Sequence, residues 1–515
     1  MSSSRTSFRV VSLLSLCTLL QLFLQLGFHL LLARAFGAAA EMDAFTAAMA
    51  LPGVVSVVVA GSLQYAFIPQ FIQRREGEGS TAAWRLASTL GLLLMLTVGL
   101  LALLGMAAAL PLVRLLQPGF SETQTLLTAD LFQILVWQMW GVSTSAFLQS
   151  LHHCEQRFAT PALASLAGAA LTLLWTAATY RMWGIHAVAS GVLAGSLLSC
   201  TIQIPILLGN FRRPSLLDDS LDRVLRSLLP LVLGAAYYKL DPVVDRFLAS
   251  RLPEGSVAYL GYADRLIGAL LVLTTSGLAI VAFPVLSRYA AAGRSDELKH
   301  EIVRVLRFLI YILVPTGTAL LLFHNVIVRD LFQRGEFSPA DTRAVGLLLA
   351  LYVGLLIGAS AGDILMKVFF SLGDTRTPVL IGLTGFTLGV LLKFWLVPTW
   401  GIGAIAAGTS IYYLLNATVA TVLLRFRLGE FPVGQLAGSL LRCLAAAAAA
   451  AIVGMWITAY DFRGVSLVGA AAGGAIYLAV TWLLGEDQAR LIWQRRLNAT
   501  PSNPPPESPA PPPPE

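Results

Sequence analysis

Charged side chains are scarce in this chain. They make up 12% of its 515 residues, whereas nonpolar residues make up 57%. A soluble protein of this length carries about twice that share of charge. The composition therefore excludes a soluble enzyme or binding domain. Together with a mean hydropathy of +0.75, it indicates an all-α polytopic membrane protein.

Cysteines and catalytic motifs are also missing. The four cysteines form no C-x-x-C pair and lie in or beside nonpolar segments, so we expect neither disulfides nor a metal site. No nucleotide-binding loop or nucleophile–base set occurs, and we expect no enzymatic activity and no cofactor. The net charge of +7 comes from basic residues scattered over short loops without aromatic neighbours, which argues against nucleic-acid binding.

Stretches without charge predict fourteen transmembrane helices. The first, residues 10–33, is too long for a signal peptide. The seventh, 227–250, carries charges, and the eleventh, 377–397, carries Lys393. The other predicted helices are 44–73, 86–113, 131–154, 158–180, 182–211, 266–287, 308–328, 344–362, 402–424, 443–460 and 464–485.

The distribution of Lys and Arg predicts that both termini are cytoplasmic. With that orientation, most basic residues of the short loops fall on one side, including Arg212, Arg213, Arg223, Arg226 and those between Arg288 and Arg307. Residues 498–515 are rich in proline and poor in nonpolar side chains. We expect them to form a disordered cytoplasmic tail.

The chain contains an internal repeat. Residues 183–191 (WGIHAVASG) return as 400–408 (WGIGAIAAG), and Thr160-Pro161 returns as Thr377-Pro378 at the same offset. An even number of helices in each half gives both halves the same orientation. We therefore expect a six-helix lobe at 1–211, a second at 212–430, two additional helices within 431–497, and the tail. Such lobes commonly enclose a central site, and a scaffold without transport is the alternative.

The seventh predicted helix carries charges at membrane depth. Asp241 and Asp245 share one helical face, whereas Lys239 and Arg246 share another that lies roughly opposite Asp241. Partners for the carboxylates must therefore come from other helices, a substrate or an ion. The alternative is a buried ion-pair cluster that only holds helices together.

The first predicted helix carries a polar stripe. Gln21, Gln25 and His29 follow one another at intervals of four residues, on one face of an otherwise nonpolar helix. Because these side chains are costly in lipid, we expect the stripe to face a cavity between the lobes. Hydrogen bonding between helices is the alternative.

Several segments, taken together, resemble the MurJ (MviN) lipid II flippase family. They follow the family's order over roughly residues 8–430, and they are 33–37 (ARAFG), 61–69 (GSLQYAFIP), 118–120 (PGF), 255–257 (GSV), 262–266 (YADRL), 283–287 (FPVLS) and 373–378 (GDTRTP). The resemblance implies the fold of the MOP exporters, which include the MATE transporters. It also implies flipping of undecaprenyl-pyrophosphate-linked peptidoglycan precursor across the bacterial inner membrane by alternating access.

The chain departs from the family where arginines usually meet the pyrophosphate. The first helix has Leu22 and Phe28 in that region, and the second is uncharged around Ser56, whereas Arg265 and Asp43 are retained. Guanidinium groups suit pyrophosphate because they donate in a fork. The candidate substrate-binding residues are Arg265, Lys239, Arg246, Gln21, Gln25, His29 and Asp43. The alternative for Asp43, which lies near a predicted helix start, is that it only caps that helix.

A second departure concerns Lys393. Many members carry an asparagine there, which the resemblance places in a sodium site with an acid of the seventh helix. Our hypothesis is that Lys393 pairs with Asp241 or Asp245 and replaces the ion; snorkelling from a helix end is the alternative. The two carboxylates could also share a proton, so sodium and protons are both possible coupling ions.

The expected partners are lipid II and membrane lipids, and we expect a monomer. Altered headgroup recognition would make the chain a flippase for another polyprenyl-linked oligosaccharide. A MATE-like small-molecule antiporter is a further alternative.

Overall fold

The computed structural model describes residues 2–214, 239–460 and 464–490, together with positions 226, 232, 234 and 237. The predicted tail and much of the predicted seventh helix lie outside this part of the chain. The described residues form seventeen α-helices. In chain order they are α1 (Ser2–Phe36), α2 (Ala40–Glu78), α3 (Ser80–Ala107), α4 (Ala109–Leu116), α5 (Glu122–Cys154), α6 (Ala159–Trp183), α7 (Ile185–Gln203), α8 (Asp241–Ala249), α9 (Ser256–Leu271), α10 (Gly277–Ala291), α11 (Ser295–Phe332), α12 (Pro339–Leu351), α13 (Val353–Ser371), α14 (Arg376–Trp400), α15 (Ile402–Leu428), α16 (Val433–Thr458) and α17 (Val465–Leu483).

Thirteen helical segments of the described chain are long and nonpolar enough to cross a membrane. They correspond to the predicted helices except the seventh. The predicted eighth helix, 266–287, was placed too late, because its helix begins at Ser256 and continues through α9, one π-helical turn and α10. The predicted 443–460 likewise begins at Val433. In both cases the prediction stopped at charged residues that have hydrogen-bond or ion-pair partners inside the bundle.

The two lobes repeat each other in local geometry. The α6–α7 connection turns at Gly184 with φ 54° and ψ −135°, and the α14–α15 connection turns at Gly401 with φ 56° and ψ −139°. Ser121 and Ser338 each form a capping box at the start of the corresponding helices α5 and α12. The predicted pseudo-symmetric pair of lobes is therefore confirmed, while the boundaries at 211 and 430 stay predictions.

The lobes meet at the end of the bundle where α1 ends and α2 begins. We call this region the seal; it consists of residues 34–46 of the first lobe with 250–262 and 335–336 of the second. Glu336 donates its N–H to the Arg34 carbonyl over 3.1 Å, and the Tyr262 hydroxyl donates to the Gly37 carbonyl over 2.7 Å. Further hydrogen bonds in the seal join Ala40 to Glu254 and Asp43 to Gly255 and Ala258, and one deeper contact joins Arg265 to His29.

Backbone approaches backbone in the seal. Gly37 and Gly335 both have positive φ, and a Cβ on either would overlap a carbonyl group, that of Glu336 or of Arg34 respectively. Glycine is the residue that allows this conformation and this approach. The seal therefore tolerates no side chain at these two positions.

The last two helices are tied to the second lobe through Glu486. This carboxylate is fully buried, lies 3.1 Å from Arg307 of α11 and 3.0 Å from Arg442 of α16, and accepts a hydrogen bond from Ser439 over 2.7 Å. Because Glu486 pairs with Arg442, this arginine lies inside α16, whereas the predicted helix began one residue after it. We call these four residues the Glu486 clamp.

Asp374, between α13 and α14, makes the stability of this turn dependent on pH. The backbone N–H and hydroxyl of Thr377, with Arg427, lower the pKa of this carboxyl to about 2. The ordinary pKa of Asp is about 3.9, so the stabilising effect is present above about pH 4 and is lost as the pH falls through about 2. We expect Asp374→Ala to lower the Tm of the detergent-solubilised protein by about 1 °C at pH 7.

That Tm difference should shrink between about pH 4 and pH 2. Asp374→Asn is the control, because it removes the charge facing Arg427 and keeps a capping oxygen. A Tm difference that did not depend on pH would contradict the assignment.

Candidate functional site

A buried ammonium–carboxylate cluster lies inside the second lobe. The Lys393 side chain on α14 is completely buried, and its Nζ lies 2.6 Å from Asp241 Oδ1 and 2.7 Å from Asp245 Oδ1 on α8. The Tyr412 hydroxyl donates to the second oxygen of Asp241 over 2.8 Å. Lys393 therefore bridges both carboxylates at once, and Asp241 and Asp245 share one face as their spacing predicted.

Asp241 and Asp245 lie in the first turns of α8, directly after a break in the helix. Leu240 forms a turn, Asp241 begins the helix, and Pro242 occupies its first turn, where a missing N–H costs nothing. Arg246 on the same helix donates to Asp264 of α9 over 2.8 Å and to the Pro242 carbonyl over 3.1 Å. This substrate-binding candidate is thus held by a carboxylate in this conformation.

Arg265 is positioned differently from the other interior cations. It is half-buried, and its Nη1 lies 2.7 Å from His29 Nε2 on α1. Because a guanidinium only donates, the acceptor nitrogen of His29 must be unprotonated. In the described part of the chain, no carboxylate lies within ion-pair distance of Arg265. This pair joins the lobes about 7.5 Å below the seal along α1, since His29 precedes Arg34 by five helical residues.

The remaining predicted site residues are spread over the first lobe and the helix break. The side chain of Gln25 is exposed, and it lies one helical turn from His29. Gln21 lines a polar cavity between α1, α5 and α6. Lys239 is exposed just before the α8 break and is not part of the Lys393 cluster.

Asp43 lies in the seal rather than beside Arg265. It is only 2% exposed, and its two oxygens accept the backbone N–H groups of Gly255 and Ala258 over 2.6 and 2.7 Å. It therefore caps α9 in the opposite lobe instead of its own helix. In this structure both oxygens of Asp43 serve the lobe interface.

Replacing Asp43 should weaken the seal. Each hydrogen bond to a carboxylate contributes about 1.5–3 kcal/mol, so Asp43→Ala is expected to shift the equilibrium towards an opened seal at least tenfold. Distances between spin labels on the two lobes would measure the shift. Asp43→Asn, which retains one acceptor oxygen, should give an intermediate value. Unchanged distances in Asp43→Ala would contradict this role.

Two partners were missed by the sequence analysis. Asp264 stands beside Arg265 in the YADRL segment and could have been recognised as a second charge at membrane depth. Tyr412 could not have been recognised, because tyrosines are common in membrane helices. Only the structure shows that its hydroxyl donates to Asp241.

The arrangement of two repeated lobes around a charged interior defines a multi-pass membrane protein with the fold of the MOP exporters. A solved lipid II flippase MurJ in an inward closed conformation shares this fold, with a TM-score of 0.79 and 20% identity over 94% of this chain and 99% of that one. An inward-facing MATE transporter has a TM-score of 0.68 and 16% identity over 79% of this chain and 94% of that one. The family model "Lipid II flippase MurJ" matches residues 32–467. The chain belongs to the MurJ family.

Similar proteins come from several bacteria. The probable lipid II flippase MurJ of Rhizobium meliloti is 29% identical over 494 residues, 90% of this chain and 91% of that protein. The probable flippase of Bdellovibrio bacteriovorus is 28% identical over 75% of this chain and 76% of its own length. The lipid II flippase MurJ of Burkholderia cenocepacia is 26% identical over 82% of this chain and 84% of its own.

Proposed function

We propose that this chain is an inner-membrane flippase that moves lipid II from the cytoplasmic to the periplasmic leaflet by alternating access. Membership of the MurJ family supports the substrate, and the two-lobed fold supports the mechanism. The observation that carries the proposal is Arg265, a half-buried guanidinium at the point where the lobes meet, with no carboxylate partner among the described residues. A flippase needs such a cation to receive a pyrophosphate inside the bilayer.

The seal faces the periplasm in this proposal. The basic residues of the short loops support this orientation, because they favour a cytoplasmic side for the start of α1 and the end of α17. The hydrogen bonds described between the lobes are concentrated at the seal. This distribution supports a conformation that admits substrate from the cytoplasm.

The pyrophosphate would bind to Arg265 beside His29. A phosphate approaching this pair would also come near the Arg246–Asp264 ion pair, because Asp264 and Arg265 are consecutive. Arg246 would then exchange its carboxylate for a phosphate oxygen. Lys239 lies outside this region in the described conformation and would reach substrate only after the α8 break moves.

Lys393 would act as a tethered cation in place of a coupling ion. Its ammonium occupies the position between Asp241 and Asp245 that a free cation would need. Asp245 lies next to Arg246, so the cluster adjoins the pyrophosphate region. Rearrangement of the Arg246–Asp264 pair would therefore change the electrostatic environment of the Lys393 cluster.

The prenyl tail would lie against the last two helices. A cavity of about 440 Å³ between α11, α16 and α17 is lined mainly by nonpolar and small residues, including Pro315, Ala451, Gly454 and Gly473. Small residues at such helix interfaces leave room for a chain to lie close to the backbone.

The direct test is rescue of cells depleted of their own lipid II flippase, combined with an assay for lipid II on the outer leaflet. The chain and its exposed-surface variant Arg425→Met should restore growth and outer-leaflet lipid II, whereas Arg265→Met should restore neither. Normal membrane insertion of all three is the control. Rescue by Arg265→Met would overturn the assignment of the site.

A flippase for another polyprenyl-linked oligosaccharide is the second candidate. The specific observation in its favour is that α2 has no charged residue between Asp43 and Arg74, where arginines were expected. Correct insertion without lipid II on the outer leaflet, together with flipping of another undecaprenyl-pyrophosphate glycan, would favour this candidate.

A further inference from the structure

A polar cavity lies inside the first lobe, away from the charged interior. It has a volume of about 230 Å³ and lies between α1, α5 and α6. It is near the end of α5 and the start of α6, and therefore near the end of the bundle opposite the seal. The residues that matter for its chemistry are Thr18, Gln21, Gln149, His153, Phe158 and Ser165.

The cavity offers hydrogen-bonding groups that the protein does not use. In the described part of the chain, the side chains of Gln21, Gln149 and Ser165 form no hydrogen bond to another protein group. A glutamine amide donates and accepts, and a serine hydroxyl does the same. Polar groups in a lipid-embedded lobe are costly unless water or a ligand satisfies them. The cavity thus offers hydrogen-bonding groups to water or to a polar ligand.

Its lining selects against ions. No Lys, Arg, Asp or Glu is among the lining residues that the structure describes, so a phosphate or a metal cation would find no counter-charge on them. The rings of His153 and Phe158 lie 5.3 Å apart at one side and provide an aromatic surface. Amides, a hydroxyl and an aromatic surface together suit a neutral ligand rich in hydroxyl and amide groups, such as an N-acetylated sugar.

The polar stripe on α1 runs from this cavity towards Arg265. Gln21 lies in the cavity, Gln25 one turn further, and His29 contacts Arg265. Eight residues of α-helix span about 12 Å, a distance that a sugar attached to a pyrophosphate can bridge. One molecule could therefore place its pyrophosphate at Arg265 and its sugar in the cavity.

We infer that the cavity between α1, α5 and α6 is the subsite for the glycan of the lipid-linked substrate, with Gln21 and Gln149 as its specificity-determining residues. This inference rests on the proposed flippase function and extends it. Under this inference, Arg265 binds the pyrophosphate, which all polyprenyl pyrophosphates share, and the neutral cavity recognises the sugar.

The test compares two probes that share the pyrophosphate, lipid II and undecaprenyl pyrophosphate, as ligands of the purified full-length protein in detergent. Gln21→Leu/Gln149→Leu should weaken lipid II binding about tenfold, as expected for two lost neutral hydrogen bonds, and leave undecaprenyl pyrophosphate binding within about twofold. Arg265→Met should weaken both probes alike. Gln133→Leu, an exposed glutamine on α5 outside the cavity, is the matched control and should change neither.

A second variant tests whether weaker lipid II binding comes from loss of the cavity or from misfolding. Ala162→Phe fills the cavity without removing a polar group and should cause the same selective loss. Equal loss for both probes, or no loss for lipid II, would overturn the subsite. The leaflet assay on the unaltered chain separates the two proposals: if it flips lipid II and the subsite variants bind lipid II normally, only the subsite is wrong. If it does not flip lipid II, the proposed function fails, and the glycan of lipid II fails as the occupant.

Discussion

Replacing Lys393 with methionine is expected to lower the free energy of unfolding by about 3–5 kcal/mol and to abolish flipping. The substitution removes the cation between Asp241 and Asp245 and leaves two carboxylates close together in the interior. Neither has another cation within ion-pair distance in the described residues. Thermal unfolding of the purified protein, followed by the leaflet assay, would measure both effects.

The matched control is the triple variant Lys393→Met/Asp241→Asn/Asp245→Asn. It removes the repulsion along with the ammonium, and neutral replacement of a buried ion cluster is often close to neutral in stability. Most of the lost stability should therefore return, while flipping should not. If Lys393→Met alone were as stable as the unaltered chain, the cluster would make no net contribution to the free energy of unfolding.

The asparagine variant tests whether the ammonium replaces an ion. In proteoliposomes, the unaltered chain should flip lipid II at the same rate with sodium or with a large organic cation. Lys393→Asn opens a place for a free cation between Asp241 and Asp245, so its residual flipping should require sodium. Sodium-dependent flipping by the unaltered chain would refute the tethered-cation hypothesis.

Arg265→Met should reduce flipping by roughly 100-fold, the second-largest effect we expect. Two hydrogen bonds from a guanidinium to a pyrophosphate contribute about 1.5–3 kcal/mol each, and each 1.4 kcal/mol corresponds to tenfold in affinity. Arg265→Lys should retain part of the activity, because the charge remains and the fork is lost. Initial rates in proteoliposomes at subsaturating lipid II would measure the effect.

Arg425→Met is the matched control, because Arg425 is an exposed arginine at the end of α15 whose ion pair in the described part of the chain is with exposed Glu430. It should flip at the rate of the unaltered chain. Equal rates for Arg265→Met and Arg425→Met would remove Arg265 from the site.

The helices could be predicted because lipid exposure demands long runs without charge. The same rule displaced the predicted start of the eighth helix to residue 266. Asp264 and Arg265 were read as its outer limit, whereas Arg246 and His29 allow them to lie within the bundle. Counting the charges of one segment does not show which of them pair with side chains of another helix.

The site was predictable where helical spacing sufficed. Asp241 and Asp245 lie on one face by periodicity alone, and the alignment with the family pointed to Lys393 as their partner. The role of Asp43 was not accessible in this way, because its partners are backbone N–H groups at the start of a helix in the other lobe. Backbone donors leave no mark in a sequence.

The Glu486 clamp has a consequence for shortening the chain. Glu486 follows the last membrane helix, so a stop codon at position 486 would spare every transmembrane segment and still strand Arg307 and Arg442 without their buried carboxylate. A stop after position 490 would keep the clamp. The final hairpin thus depends on a few residues beyond its own end for its attachment to the rest of the bundle.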